Sequence, residues 1–425
     1  MPTFASTNNG ERRVRAAAQP LEVVLLFIGT LGISTWSMLA LLTPIAWNVV
    51  LWTARPVVRP AFAARLALLA TFAATFFVIT GWYGFYARPT DPLKLFIVVV
   101  GLYAMGCAAG TDSPSIQIWK LLALVGGFVT FAFLGVHDAI LSGNYLDPEL
   151  TERAGTNYFR SESLIAATGL GALGSLGMCL LPALFARSSR DQRAAATVPW
   201  RAAAAGLVVM GWLANLALQN RTPIIAMAGA AFASALVVAT DPRSSSRARV
   251  AAAVAAIAVA ALAVGAGPLL SAMPDHPAVR RFQEEGLETE RYAVWVDVAR
   301  ALPRYPFGGR KIDLRGFGYA HNLWLDVGYD SGMFPLLLLA GFHASHVGVL
   351  FRAIRANTSG ILRLTLVGLC ASFFATFMVE PILQFRVDFF AASCFLLGMA
   401  TAIGARPAPR AECALEAVPS RSCAS

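Results

Sequence analysis

Long uncharged apolar runs, separated by short polar segments, dominate this chain of 425 residues. Stretches without Asp, Glu, Lys or Arg lie at roughly 23–54, 66–87, 95–111, 121–136, 164–186, 202–220, 222–240, 250–274, 333–351, 364–379 and 389–405. A helix needs about 20 apolar residues to cross a bilayer, so most of these stretches predict one transmembrane helix each. The pattern predicts an all-α, polytopic membrane protein.

The first apolar run, residues 23–54, is too long for one ordinary span. Basic residues lie on both sides of it: Arg12, Arg13, Arg15, Arg55 and Arg59. Because Lys and Arg concentrate in cytoplasmic loops, both flanks are predicted to be cytoplasmic, and the run must cross twice or re-enter. We therefore predict about twelve spans with both termini inside. Cytoplasmic segments then carry 20 basic residues and short outer loops carry 6, whereas an eleven-span alternative would place the Arg-rich N-terminus outside.

This topology divides the chain into five segments. Residues 1–20 form a cytoplasmic tail, 21–266 contain helices 1 to 9, and 267–332 form a long outer loop with short helices. Residues 333–405 contain helices 10 to 12, and 406–425 form a second cytoplasmic tail. The long loop is the segment expected to carry chemistry.

Composition changes this picture little. The chain is 57% hydrophobic and 14% charged, with a net charge of +10. Its basic residues are spread over cytoplasmic turns that face anionic membrane lipid, so the charge requires no nucleic acid. The six cysteines lie in spans or in the C-terminal tail, and neither a disulfide nor a metal site is predicted.

Within the long loop, residues 290–302 have helical spacing. Their apolar face is predicted to contain Tyr292, Trp295, Val296 and Ala299. We expect this face to lie against the spans or the lipid head groups. Pro303 and Pro306 follow and are expected to end the helix.

The end of the loop, Gly318 to Gly332, holds a histidine directly before a short amphipathic stretch. Asn322 could cap a helix over Leu323–Tyr329, which would place His321 at or just before its N-terminus. The positive end of a helix disfavours imidazolium, so the ring would stay neutral near pH 7 and could accept a proton. A loop histidine is more often a packing or surface residue, and His137 is a weaker candidate.

Two arginines are candidate ligands for phosphate. Arg221 stands alone in an outer turn between the seventh and eighth spans, against the charge bias of the other loops. It could snorkel to lipid phosphate or bind a phosphate-bearing substrate bidentately. Arg291 could likewise bind a phosphate-bearing substrate. Because it is adjacent to Glu290, it could instead be an ordinary solvated charge.

Three motifs within residues 219–335 resemble those of the bacterial O-antigen ligase superfamily, which are membrane glycosyltransferases with a GT-C type fold. His321-Asn322 with Leu325, Asp330 and Gly332 resembles the family signature. The second motif, Arg291 with Trp295 and Pro306-Phe307-Gly308-Gly309, is similar to the family's loop. The third, Asn220-Arg221-Thr222, is similar to the family's arginine turn before a span. Where the family often has Glu-x-Gly, this chain has Asp330-Ser331-Gly332, which keeps the carboxylate.

The resemblance implies transfer of a glycan from undecaprenyl pyrophosphate to a lipid A-core sugar hydroxyl, at the periplasmic face of the bacterial inner membrane. His321 would be the general base, and Arg221 and Arg291 would hold the pyrophosphate as it leaves. Asn322, Asp330 and Trp295 would support them. The donor bond is already activated, so the resemblance implies no metal, nucleotide or other cofactor.

Other functions stay open at this point. An O-antigen or exopolysaccharide polymerase would use the same donor, and a third class of the superfamily transfers glycans to protein side chains. A transporter of lipid-linked sugars usually needs ionisable residues within the membrane. Here the spans are almost free of charge, with Glu380, Arg386 and Asp388 at or near the outer ends of the last two.

Overall fold

The computed structural model describes residues 9–32, 34–53, 60–141, 154–186, 194–218, 222–242, 244–264, 290–356 and 359–405. Its helices are α1 (Asn9–Thr30), α2 (Ser34–Thr53), α3 (Pro60–Trp82), α4 (Asp91–Ala109), α5 (Pro114–Leu141), α6 (Ala167–Met178), α7 (Leu181–Leu184), α8 (Ala194–Leu218), α9 (Thr222–Thr240), α10 (Ser246–Val264), α11 (Glu290–Ala301), α12 (Leu323–Ser331), α13 (Met333–Ala356), α14 (Gly360–Val379), α15 (Ile382–Phe385) and α16 (Val387–Gly404). A 3₁₀ turn, Leu302–Arg304, follows α11.

The predicted helical class is confirmed, with one exception. An antiparallel hairpin, β1 (Ala154–Asn157) and β2 (Arg160–Ala166), joins α5 to α6.

In the part of the chain that the structure describes, nine helices are long and apolar enough to cross a membrane. They are Phe62–Trp82, Asp91–Ala109, Pro114–Leu141, Ala167–Leu184, Val198–Leu218, Thr222–Thr240, Met333–Ala356, Gly360–Val379 and Val387–Gly404. The protein is therefore a helical, multi-pass membrane protein. The other three predicted spans fall on α1, α2 and α10, so the number twelve stays a prediction.

The ambiguous run 23–54 forms two helices, not one. α1 ends at Thr30, Leu31 and Gly32 form a turn, and α2 begins at Ser34. The two helices pack against each other. This geometry agrees with the prediction that residues 23–54 begin and end on the same side of the membrane.

α9 and α14 run antiparallel, and contacts at both of their ends fix this arrangement. At one end the Thr222 hydroxyl donates to Glu380 Oε1, 3.2 Å away. At the other end Arg363 forms an ion pair with Asp241. Twenty helical residues span about 30 Å, so Thr222 and Asp241 lie about that far apart, at opposite ends of α9.

α11, within the long loop, lies at the Thr222 end of α14. Arg291 Nη1 donates to the carbonyl of Val379, 3.3 Å away, at the last residue of α14. The chain therefore passes from one end of α14 to the other between Asp241 and Arg291, an interval that contains α10. This is the alternation that the predicted topology requires.

A charged cluster lies buried among α1, α2, α5 and the turn between α4 and α5. Lys120, 1% exposed, lies 2.9 Å from Asp112 Oδ2 and also forms an ion pair with Glu22. Asn48 donates to Glu22 Oε1 at 3.0 Å, and Gln19 donates to Asp112 Oδ1 at 3.3 Å. The first apolar run is thus tied to the rest of the fold by buried charges, although the spans were expected to be almost free of charge.

Candidate functional site

The C-terminal end of α14 is the point at which the predicted site residues meet. The last carbonyls of a helix have no partner within the helix and can accept hydrogen bonds from elsewhere. Here the carbonyl of Met378 accepts from Asn322 Nδ2 at 3.3 Å, and that of Val379 accepts from Arg291 Nη1 at 3.3 Å. The structure thus brings Arg291 and the His321-Asn322 motif to one helix end.

Glu380 caps this helix end. Its side chain is buried, and it accepts a hydrogen bond from Thr222, the first residue of α9. The sequence analysis placed Glu380 near an outer end but did not include it in the site. Arg221, which precedes Thr222 in the chain, lies outside the described residues, and its assigned contact with pyrophosphate stays a prediction.

His321 has an unusual backbone conformation, with φ of 56°. The carboxylate of Asp326 accepts from the backbone N–H of Ala320 at 2.7 Å and from that of Asn322 at 3.0 Å. The N–H of His321 also bonds to it. Successive N–H groups around a left-handed residue form a cradle for an acceptor oxygen, and here the carboxyl of the fully buried Asp326 fills it. Burial raises the pKa of Asp326 to about 8, and the hydrogen bonds from these N–H groups oppose that shift. Asp326 therefore fixes the loop that presents His321.

The sequence reasoning missed Asp326. One feature of the sequence could have identified it: Asp326 lies in the first turn of the helix that Asn322 was predicted to cap. The helix dipole favours an acidic residue at that position. The helix itself is confirmed as α12, Leu323–Ser331, and the Asn322 side chain accepts from Leu325 N at its start. His321 directly precedes this cap, as expected.

Trp295 holds the other side of the same loop. Its indole Nε1 donates to the carbonyl of Ala320 at 2.7 Å, next to His321 in the chain. The face of α11 that packs against the protein is not the face that carries Tyr292 and Val296, so for these residues only the lipid alternative of the prediction stays open. α11 buries Val294 and Val298, whereas Tyr292 and Val296 are 55% and 45% exposed. The buried face is set by contacts with residues 312–336, which spacing alone does not show.

The imidazole of His321 is held neutral. Burial lowers its pKa to about 4, and the positive charge of Arg291 lowers it further. This lowered pKa agrees with the predicted neutral ring, and its causes are burial and the charge of Arg291. Its Nδ1 is buried without a hydrogen-bond partner among the described residues.

Asp330 organises the site from a second side. It is buried and accepts from Arg310 Nε at 2.7 Å and from Gln384 Nε2 at 2.6 Å. Burial raises its pKa, and the hydrogen bonds from these two partners oppose that shift. The Arg310 guanidinium also lies over the Phe85 ring, 3.9 Å from its centre. Asp330 therefore links the long loop to α15 and to the turn after α3.

Two motifs that the sequence analysis treated separately form one close backbone contact. Met333 N donates to the carbonyl of Pro306 at 2.9 Å, and Gly309 N donates to the carbonyl of Asp330 at 3.0 Å. Gly332 has φ of 92°, and a Cβ there would lie 1.9 Å from the Pro306 oxygen. Only glycine fits this position, because both its backbone conformation and the available space exclude a side chain.

We expect Gly332→Ala to destabilise the protein by about 2–4 kcal/mol, since it combines a left-handed backbone with a steric clash. The measurement is the thermal unfolding midpoint of the purified protein in detergent. Gly318→Ala is the matched control, because a Cβ there meets nothing within 4 Å and its φ is not positive. Equal midpoints for the two variants would contradict the assigned contact.

No family model matches this chain, and a search of the curated proteins finds no match. Among the described residues, no group of three or more His, Cys, Asp and Glu side chains could hold a metal ion. The functional interpretation therefore depends on the motif residues and on the contacts that the structure gives them.

Proposed function

We propose that the protein is a membrane glycosyltransferase of the O-antigen ligase type. It would transfer a glycan from undecaprenyl pyrophosphate to a sugar hydroxyl of lipid A-core, at the periplasmic face of the bacterial inner membrane. One observation supports this most. Arg291 and His321, far apart in the sequence, lie at the same end of α14, where the charge of Arg291 acts on the buried imidazole.

The proposed reaction has one bond-forming and one bond-breaking step. The acceptor oxygen attacks the first sugar carbon of the glycan, and the bond from that carbon to the pyrophosphate breaks. His321 takes the hydroxyl proton, which a neutral imidazole can do. Arg291, with Arg221, stabilises the charge that develops on the departing undecaprenyl pyrophosphate.

The position of Arg291 also couples donor binding to the strength of the base. In the protein alone, its charge lowers the pKa of His321. A bound pyrophosphate offsets this charge, so the pKa of the imidazole rises and the ring becomes a better proton acceptor. The base would thus gain strength once the donor is in place.

Proteoliposomes that contain the purified protein, a lipid-linked glycan and lipid A-core test the proposal. We expect glycosylated lipid A-core to form, and its formation to persist in EDTA. Transfer to a second lipid-linked repeat instead would identify a polymerase. Movement of the lipid-linked sugar across the bilayer, without transfer to any acceptor, would identify a transporter and contradict the proposal.

The pH dependence of the reaction tests the state of His321. Only the neutral ring accepts a proton, and the pKa of His321 in the free protein is lowered to about 4. We therefore expect kcat/KM to change less than about twofold between about pH 6.5 and pH 5, whereas an exposed histidine would lose about tenfold. In Arg291→Gln the fall in kcat/KM should begin at higher pH. A wild-type fall centred near pH 6.5 would contradict the assigned environment.

A further inference from the structure

Glu380 occupies an electrostatically unfavourable position. It caps the C-terminal end of α14, where the helix dipole carries partial negative charge and disfavours a carboxylate. It is also only 4% exposed, and burial disfavours the charged form further. A buried acid that opposes the dipole of its own helix, within a candidate site, is typical of a functional group.

Two groups stabilise the ionised form of Glu380. The Thr222 hydroxyl donates to Oε1, and the charge of Arg291 acts on the carboxylate. Arg291 is held nearby by its bond to the adjacent carbonyl, that of Val379. Glu380 is thus a counter-charge to Arg291, the arginine that the proposed function assigns to pyrophosphate.

The charge state of Glu380 is balanced near neutral pH. Burial raises its pKa to about 7, while Arg291 and Thr222 oppose this shift. His321, on the facing loop, is neutral in this range. At the start of α16, the charge of Arg386 is paired with Asp388.

We propose that Glu380 belongs to the donor site as a counter-charge to Arg291, and that it takes up one proton when a diphosphate diester binds there. This inference rests on the proposed function. A dianion beside Arg291 repels a carboxylate at the same helix end and favours its neutral form. One proton enters from solvent as the donor binds and returns to solvent when undecaprenyl pyrophosphate leaves.

Linkage gives the expected pH dependence. The complex holds one proton more than the free protein wherever free Glu380 is ionised, so affinity falls as pH rises through the pKa of the free carboxyl. The steepest possible fall is tenfold per pH unit. Below that range Glu380 is already protonated, and affinity for the diphosphate should be constant.

The experiment is calorimetric titration of the full-length protein in detergent with farnesyl diphospho-N-acetylglucosamine, a diphosphate diester that does not titrate near neutral pH. We expect the Kd of the wild type to be about thirtyfold weaker at about pH 8.5 than at about pH 6, because the pH exceeds the pKa of free Glu380 by about 1.5 units. The Kd of Glu380→Gln should change less than twofold over this range, because the amide keeps an acceptor for Thr222 but does not titrate.

Asp297→Asn is the matched control. It removes a carboxylate from α11 that pairs with Arg315, and it should retain the wild-type pH dependence.

The wild-type protein alone also tests the inference. Titrations near pH 8 in buffers of different ionisation enthalpy should report uptake of close to one proton, and uptake near zero would overturn the proposal. An equal loss of affinity with pH in Glu380→Gln and the wild type would overturn it while leaving the proposed function intact. Failure of the wild type to bind the probe at any pH would instead contradict the proposed function, and the inference with it.

Discussion

Replacing His321 by alanine is expected to lower glycan transfer by about 10²- to 10⁴-fold, the usual contribution of a general base. The protein should still insert into the membrane and still bind the lipid-linked donor, because Arg291 makes its contact with α14 independently of the imidazole. The loss should therefore appear in kcat, with little change in donor affinity. The measurement is single-turnover transfer by the purified variant, with donor binding measured in parallel.

His137→Ala is the matched control for this prediction. His137 lies near the C-terminal end of α5, is exposed, and stacks on Phe133. Its removal should leave transfer within about twofold of the wild type. Full activity of purified His321→Ala, or an equal loss in His137→Ala, would show that the base has been assigned to the wrong residue.

Replacing Lys120 by methionine is expected to destabilise the fold by about 3–5 kcal/mol. The ammonium group is almost fully buried and is shared by two carboxylates, those of Glu22 and Asp112. Without it, two buried negative charges repel each other and lack a counter-ion. The free energy of unfolding in mixed detergent micelles, followed by tryptophan fluorescence, measures the effect.

An exposed ion pair of the same type provides the comparison. Lys94 pairs with Asp91 at 3.3 Å, and the lysine side chain is 44% exposed. Lys94→Met should therefore cost less than about 1 kcal/mol. The triple variant Lys120→Met, Glu22→Gln, Asp112→Asn should recover much of the lost stability, because no charge then stays unpaired. Equal effects of Lys120→Met and Lys94→Met would contradict the role of the buried cluster.

The features predicted correctly from the sequence are those that depend on nearby residues. Asn322 caps α12 through a bond to Leu325 N, only three positions away, so a cap followed by an amphipathic stretch was sufficient to find it. Pro303 and Pro306 end α11 where expected, because the effect of proline on a helix is local. The apolar runs also predicted helices of membrane length, because the length and composition of a run are sufficient to identify such a helix.

The features that the sequence did not predict depend on distant contacts. Thr222 and Glu380 are 158 positions apart, and only the antiparallel packing of α9 and α14 brings them together. The buried face of α11 is set by the segment that folds over it, so the periodicity of α11 alone did not show that Val294 and Val298 are buried. Asp326 is close to His321 in the chain, but its role depends on the left-handed backbone of His321, which the sequence does not reveal.

The central claim is tested most directly by the lipopolysaccharide of a bacterial strain that lacks the gene, separated on a silver-stained gel. The wild-type gene should restore every O-antigen band, whereas His321→Ala should restore none and should leave lipid-linked donor to accumulate in the membrane. A core that carries a single repeat would assign the polymerase activity instead. A full ladder in the deletion strain would contradict the account, because transfer to lipid A-core would then not require this protein.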